Sequence, residues 1–178
     1  MTDHFKTKKG FLFRIAETRK KQICFLIFAL LSIAVMVSIF LFSSQTAENS
    51  AALSGEIKGL LDKILKNYEW LISESGILWI KTYIRKIAHF VLYSLLGAFL
   101  SAAIFNTRIK SILLRLSVSA GIAFFYSITD EIHQLFVDGR SGEVRDVLLD
   151  FSGALSGIII VFLIYKTIQI ITKKCKKA

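Results

Sequence analysis

The densest chemistry in the chain lies in residues 126–153, YSITDEIHQLFVDGRSGEVRDVLLDFSG, where six acidic side chains sit between two strongly apolar runs. Asp130, Glu131 and Gln134 stand at i, i+1 and i+4, Arg140 follows among glycines, and Glu143, Asp146 and Asp150 repeat i, i+3, i+7. On a helix, Ser127, Asp130 and Gln134 share one face and Glu131 turns partly away. A carboxylate crowded by others holds its proton more readily, so such a cluster can supply an acid or a base near neutral pH. The bland alternative is that the acids only pair with Lys86, Arg140 and Arg145 to close a bundle. The density of the cluster beside membrane-grade sequence favours a substrate site, because ionisable groups near bilayer depth are costly and mark function by default.

A second polar set precedes this one. Lys86, His89 and Tyr93 lie at i, i+3 and i+7 with Gly97 one turn further, a single helical stripe that reaches roughly 10 Å from Lys86 to Tyr93. By residue type, Lys86 and Arg140 suit anion binding, and Glu131, Asp146 and His89 suit proton transfer. Gln134 and Tyr93 suit orientation of a ligand; Asp130, Asp150 and, at the rim, Gln45 complete the candidate set. Arg85 and Arg145 either join the anion site or anchor to lipid headgroups. His89 and His133 with nearby carboxylates can ligate a divalent metal, but no HExxH or paired-cysteine spacing accompanies them. A metal is therefore not favoured, and no cofactor is assigned. Ser43 and Ser44 with His89 and an acid make a conceivable nucleophilic set, although serines at a helix end more often cap or bond back to the helix.

The elements that must position these residues are membrane helices. With 178 residues, 54% hydrophobic and 20% charged, the chain is one domain long and too apolar for an ordinary soluble domain. Its formal net charge of +10 does not point to nucleic acid, because the basic residues flank apolar runs, where topology-setting charges sit. Cys24 and Cys175 form no disulfide or metal framework, and the chain has no proline to kink a span.

In chain order, a basic N-terminus (residues 1–21) leads into an uncharged run over 22–42, long enough to be a retained first span rather than a signal peptide. After the FSSQ of residues 42–45, apolar positions from Leu53 to Leu71 recur at helical spacing opposite charged ones. This predicts an amphipathic helix on the membrane surface, broken at Ser75 and Gly76. Trp70, Trp79 and Tyr83 suit an interfacial belt. Spans two, three and four are predicted over about 87–105, 112–129 and 147–165, with Arg115 snorkelling to headgroups. Gly153 and Gly157, at i and i+4, open the fourth span to close helix approach. The expected fold is thus all-α, a four-span helical bundle with an amphipathic helix between spans one and two. Residues 22–166 form the membrane domain and 167–178 a basic tail.

Four spans put both termini on one side of the membrane. That side collects 15 basic and 2 acidic residues, against 8 basic and 11 acidic on the other. The positive-inside rule places both termini in the cytoplasm and FSSQ, Lys86, His89 and the acidic cluster outside. Polar sets far apart in sequence then meet at one membrane face and can share one site.

These residues resemble the VanZ-like family of bacterial membrane proteins, named for a teicoplanin-resistance protein. The resemblance rests on FSSQ after span one and on K-x-x-H-F-x-x-Y-x-x-L-G at Lys86, His89, Phe90, Tyr93, Leu96 and Gly97. It continues through D-E-x-x-Q-x-F and R at Asp130, Glu131, Gln134, Phe136 and Arg140, then D-V-x-x-D and glycines at Asp146, Val147, Asp150, Gly153 and Gly157. Many members have Asn where this chain has Asp150. The resemblance implies a multi-pass bacterial cell-membrane protein linked to lowered susceptibility to teicoplanin-type glycopeptides, with no settled reaction or cofactor.

Three functional readings follow. The first is an outward polar site that binds a lipid-linked cell-wall precursor or phospholipid head group at the bilayer. The second is a membrane-embedded hydrolase or transferase acting on that head group. The third is a non-catalytic structural or partner-binding subunit that packs another helix on Gly153 and Gly157. A transporter is disfavoured, since its charges would lie at mid-depth. The topology is testable with impermeant maleimide on intact cells. A cysteine introduced by Lys58→Cys should label at once and the native Cys175 only after lysis; the reverse pattern would invert the orientation.

Overall fold

The computed structural model describes residues 2–65 and 74–175, and every element among them is a helix. α1 (Thr2–Ser43), α2 (Ala47–Leu65), α3 (Glu74–Phe105), α4 (Ile112–Gln134) and α5 (Val144–Cys175) follow in order. Four of them contain stretches long and apolar enough to cross a membrane: Thr18–Ser43, Tyr83–Phe105, Ile112–Gln134 and Val144–Cys175. Their outward faces carry large apolar side chains such as Leu30, Leu113, Phe125 and Leu163. In water such a surface would drive aggregation; in hydrocarbon it is solvated.

The interior is built on small and polar residues, as expected where lipid removes any hydrophobic push between helices. Ser32, Ser43, Ser101, Ser119 and Ser127 are buried, and Ser32 and Ser119 donate back to the carbonyls four residues earlier. α3 is the central helix and touches all four others, most extensively α5. Three glycines make that crossing. A Cβ on Gly97 would overlap the backbone of Ala154, one on Gly153 the carbonyl of Phe90, and one on Gly157 the carbonyl of Ser94. Ser156 Oγ and Ser94 Oγ lie within hydrogen-bonding distance, 3.1 Å, across the same contact.

Two expectations change here. Ser75 and Gly76 do not break the chain, because α3 begins at Glu74 and runs through both into the second span. They lie in the first turn, where backbone N–H groups have no partner inside the helix to lose, so small residues cost little. The third span also runs further than expected, to Gln134, so the DEIHQ segment is helical and continues it. Of the expected amphipathic helix, α2 covers residues 47–65, while Lys66, Tyr68, Glu69, Trp70 and Leu71 lie outside the described residues. Arg115 is held within the protein, with Nε donating to the Ile109 carbonyl at 2.6 Å and its guanidinium over the Phe105 ring.

Because Gly157 lies against backbone, neighbouring side chains have no room to yield. Gly157→Leu should destabilise the purified protein by at least about 2 kcal/mol in detergent unfolding, whereas the same change at Gly121, where a Cβ meets nothing within 4 Å, should be nearly neutral.

Candidate functional site

Close contact of α3 with α5 lines up two polar rungs. Lys86 Nζ pairs with Asp146 Oδ1 at the mouth, and one turn further in His89 Nδ1 faces Asp150 Oδ2 at 3.6 Å. The i, i+3 spacing on α3 and the i, i+4 spacing on α5 set the two rungs one helical turn apart on facing helices. Asp150 is 2% exposed, whereas the Lys86–Asp146 pair is partly open to solvent.

α4 supplies the adjoining wall through its last turns. Asp130 Oδ2 accepts from Ser43 Oγ at 3.0 Å and from Gln134 Nε2 at 3.4 Å, which ties the end of α1 to the end of α4. Tyr126 OH reinforces the tie by donating to the Met36 carbonyl at 2.6 Å. Glu131 is buried at 6% exposure rather than turned away. Its Oε1 accepts the Glu143 backbone N–H at 2.7 Å, just before α5, while Oε2 has no partner. The α4–α5 loop folds back over the site and needs this carboxylate to satisfy its backbone, which overrides the helical-wheel expectation.

The same loop carries Arg140, whose fork closes the end of α1. Nε donates to the Gln45 carbonyl at 3.1 Å and Nη2 to the Phe42 carbonyl at 3.3 Å, satisfying acceptors that a helix C-terminus leaves open. Burial lowers the Arg140 guanidinium from its ordinary value, as does nearby Arg85, while Asp130 and Glu131 act the other way. A guanidinium remains charged through such a change. Ala47 N–H donates to the Asp138 carbonyl at 3.2 Å, and Ala47 presses on Gly139, whose φ of 72° suits glycine. FSSQ is therefore the seat on which the loop after α4 rests.

These walls border a narrow polar cleft of about 20 Å³, lined by Lys86, His89, Glu131, Gln134, Arg140, Asp146 and Asp150, with Arg85 and Leu149. Tyr93 and Asp130 are buried behind it, and the Tyr93 hydroxyl has no partner at hydrogen-bonding geometry. Gln45 lines a neighbouring groove instead, and its contribution to the site is the carbonyl held by Arg140. That groove, about 390 Å³, is apolar and runs between the Leu53 and Ile57 face of α2 and Ile84, Ile87 and Val91 of α3. Cleft and groove share Arg85, His89 and Arg140.

Several sequence expectations are corrected by this geometry. His133 does not join the carboxylates: its Nε2 meets Ser44 Oγ at 3.0 Å and its ring stacks on Phe40. Ser44 Oγ is engaged by the Phe40 carbonyl at 2.7 Å and by His133 Nε2 at 3.0 Å rather than by His89. Gly153 and Gly157 are occupied by α3 of the same chain and are not free for another subunit. Arg145 is absent from the cleft lining. Arg85, offered by the sequence for either the anion site or lipid anchoring, lies in the cleft wall, and Ser43, offered as part of a nucleophilic set, is fully buried on Asp130. The FSSQ motif was the available signal for Ser43, although no periodicity could link it to a residue 87 positions away.

Four apolar helices around polar residues gathered at one end of the bundle define a multi-pass helical membrane protein. Within that class, the VanZ/LLP1 family model matches residues 28–165, and the chain belongs to that family. No curated protein and no solved structure gives a match.

The two serines of FSSQ should separate in their effects. Ser43→Ala strips a buried carboxylate of its best donor and should cost about 1–3 kcal/mol. Ser44→Ala, at an exposed bond, should stay within about 0.5 kcal/mol, both read by thermal unfolding in detergent.

Proposed function

We propose that this protein takes a single anionic amphiphile from the outer face of the bilayer, its charged group at the mouth of the polar cleft and its apolar tail in the groove under α2. One observation carries the reading: a charged cleft of about 20 Å³, room for one small group, adjoins an apolar groove of about 390 Å³, and Arg85, His89 and Arg140 line both. A soluble ligand has no use for the groove, whereas a lipid needs both chemistries within one molecular length. At about 390 Å³ the groove lies at the lower end of the roughly 300–1,000 Å³ of ordinary ligand sites. Phosphate or carboxylate on the head group suits Arg85, Lys86 and Arg140 as charge-assisted donors. The positive-inside count supports an outward orientation, which makes a lipid-linked cell-wall precursor or a phospholipid the natural head group. Capture or alteration of such a lipid is a route to lowered teicoplanin susceptibility, the property to which VanZ-like proteins are linked.

Chemistry on the head group is the second reading, and the free Oε2 of Glu131 at the cleft favours it. Unpartnered carboxylate oxygens in a water-poor cleft are poised to take up a proton or bind a hydroxyl. Asp146 is held by Lys86 and His89 faces Asp150, so Glu131 is the acid–base group of choice.

Native mass spectrometry of the protein in detergent tests the binding reading. The wild type should retain one anionic lipid, and Arg140→Lys, which keeps charge but loses the fork, should weaken retention roughly tenfold, about 1.4 kcal/mol. Equal retention by both would remove the cleft from lipid binding. Glu131→Gln should retain lipid yet abolish any product formed from envelope lipids. In a susceptible bacterium, both variants at normal membrane levels should lose protection against teicoplanin.

A further inference from the structure

His89, Asp130 and Asp150 come from three different helices, α3, α4 and α5, and each offers a ligand atom within 4.8 Å of the other two. We infer that these three side chains form a divalent-cation site at the floor of the polar cleft. The inference stands apart from lipid binding, since the ligands are defined by their own geometry.

A second observation points to a ligand at this place. Asp130 Oδ1 has no hydrogen-bond partner in a residue 4% exposed, and the hydroxyl of Tyr93, 0% exposed, has none either. Tyr93 stands one turn below His89 on the same helix face and approaches Asp130. Orphaned buried polar atoms cost free energy unless something absent from the protein chain satisfies them. The charges around the trio are already committed elsewhere. Lys86 pairs with Asp146, and Arg140 spends its Nε and Nη2 on the carbonyls of Gln45 and Phe42. Among the described residues Asp130 has only neutral groups beside it, Ser43 and Gln134 as donors and the approaching Tyr93 hydroxyl, and the group that faces Asp150 is His89. Two carboxylates buried at a membrane edge without a cation of their own are the arrangement a bound metal ion relieves.

The donor set narrows the cation. One imidazole with two carboxylates suits a first-row divalent ion such as Zn²⁺ or Mn²⁺ and is poor for Ca²⁺, which takes six to eight oxygens. With metal–ligand bonds of about 2.0–2.2 Å, donors around a four-coordinate ion stand roughly 3.3–3.6 Å apart. His89 Nδ1 and Asp150 Oδ2 already lie at 3.6 Å. Three protein ligands leave a coordination position, and His89 and Asp150 both line the cleft, so that position opens toward whatever the cleft holds. Asp150, where a neutral side chain would suffice for hydrogen bonding alone, then has a reason to be a carboxylate.

Full-length protein without a histidine tag, purified in detergent and stripped with chelator, is reloaded separately with Zn²⁺ and Mn²⁺ and desalted. Elemental analysis should find one ion per chain for at least one of the two metals, with a rise in melting temperature from that metal. His89→Ala and Asp150→Asn should each weaken binding roughly 100-fold or more, the upper range for loss of even a supporting residue. His133→Ala should bind as wild type. Cobalt-loaded wild type should show visible d–d absorption that His89→Ala lacks, a readout that survives if one variant folds poorly. No stoichiometric ion in the wild type, or equal binding by wild type and a folded His89→Ala, overturns the site.

Discussion

The architecture hangs on backbone meeting backbone where α3 crosses α5. Gly97, Gly153 and Gly157 remove the side chains that would hold the helices apart, and Ser94 and Ser156 bond across the gap. At that spacing the short side chains of Asp146 and Asp150 reach Lys86 and His89, which a wider crossing would leave separated by lipid or water. In a bilayer there is no hydrophobic force to press the helices together, so close packing and interhelical hydrogen bonds have to do it. The polar rungs are consequences of the glycine contact and also add to it.

A second clasp holds the other wall. FSSQ ends α1 with open carbonyls and two hydroxyls, and the segment from Asp130 to Arg140 supplies a matching set of partners. Asp130 takes Ser43, His133 meets Ser44, and Arg140 forks over Phe42 and Gln45. Each bond answers a group that the membrane would otherwise leave unsatisfied. This is why the two motifs belong together although more than eighty residues separate them. Against this pairing, Asp130 Oδ1, Glu131 Oε2, the Tyr93 hydroxyl and Ser101 Oγ are the buried side-chain atoms without a hydrogen-bond partner among the described residues.

Much of the site was legible before any fold. The stripe of Lys86, His89 and Tyr93 follows from helical period, the acidic cluster from composition, and its position at a bilayer edge from the flanking apolar runs. Helical wheels failed at Glu131, because they know only a residue's own helix and not the loop that turns back to be capped. The pairing of His133 with nearby carboxylates was likewise read from sequence proximity, which says nothing of Phe40 and Ser44 on another helix. Ser75 and Gly76 were given weight as breakers, but the first turn of a helix tolerates them.

Sequence alone determined the class: spans long enough to cross a bilayer, with acidic and basic clusters grouped at their ends, admit little besides a helical membrane bundle. The family followed from motifs at fixed spacing, which the match over residues 28–165 bears out. Tertiary structure decided which clusters share a cleft, that an apolar groove adjoins it, and that His89 meets Asp130 and Asp150 instead of joining His133. The reason is physical. Period and composition describe one helix at a time, whereas a site made by three helices depends on how closely they cross, and here backbone contact at glycines sets that distance.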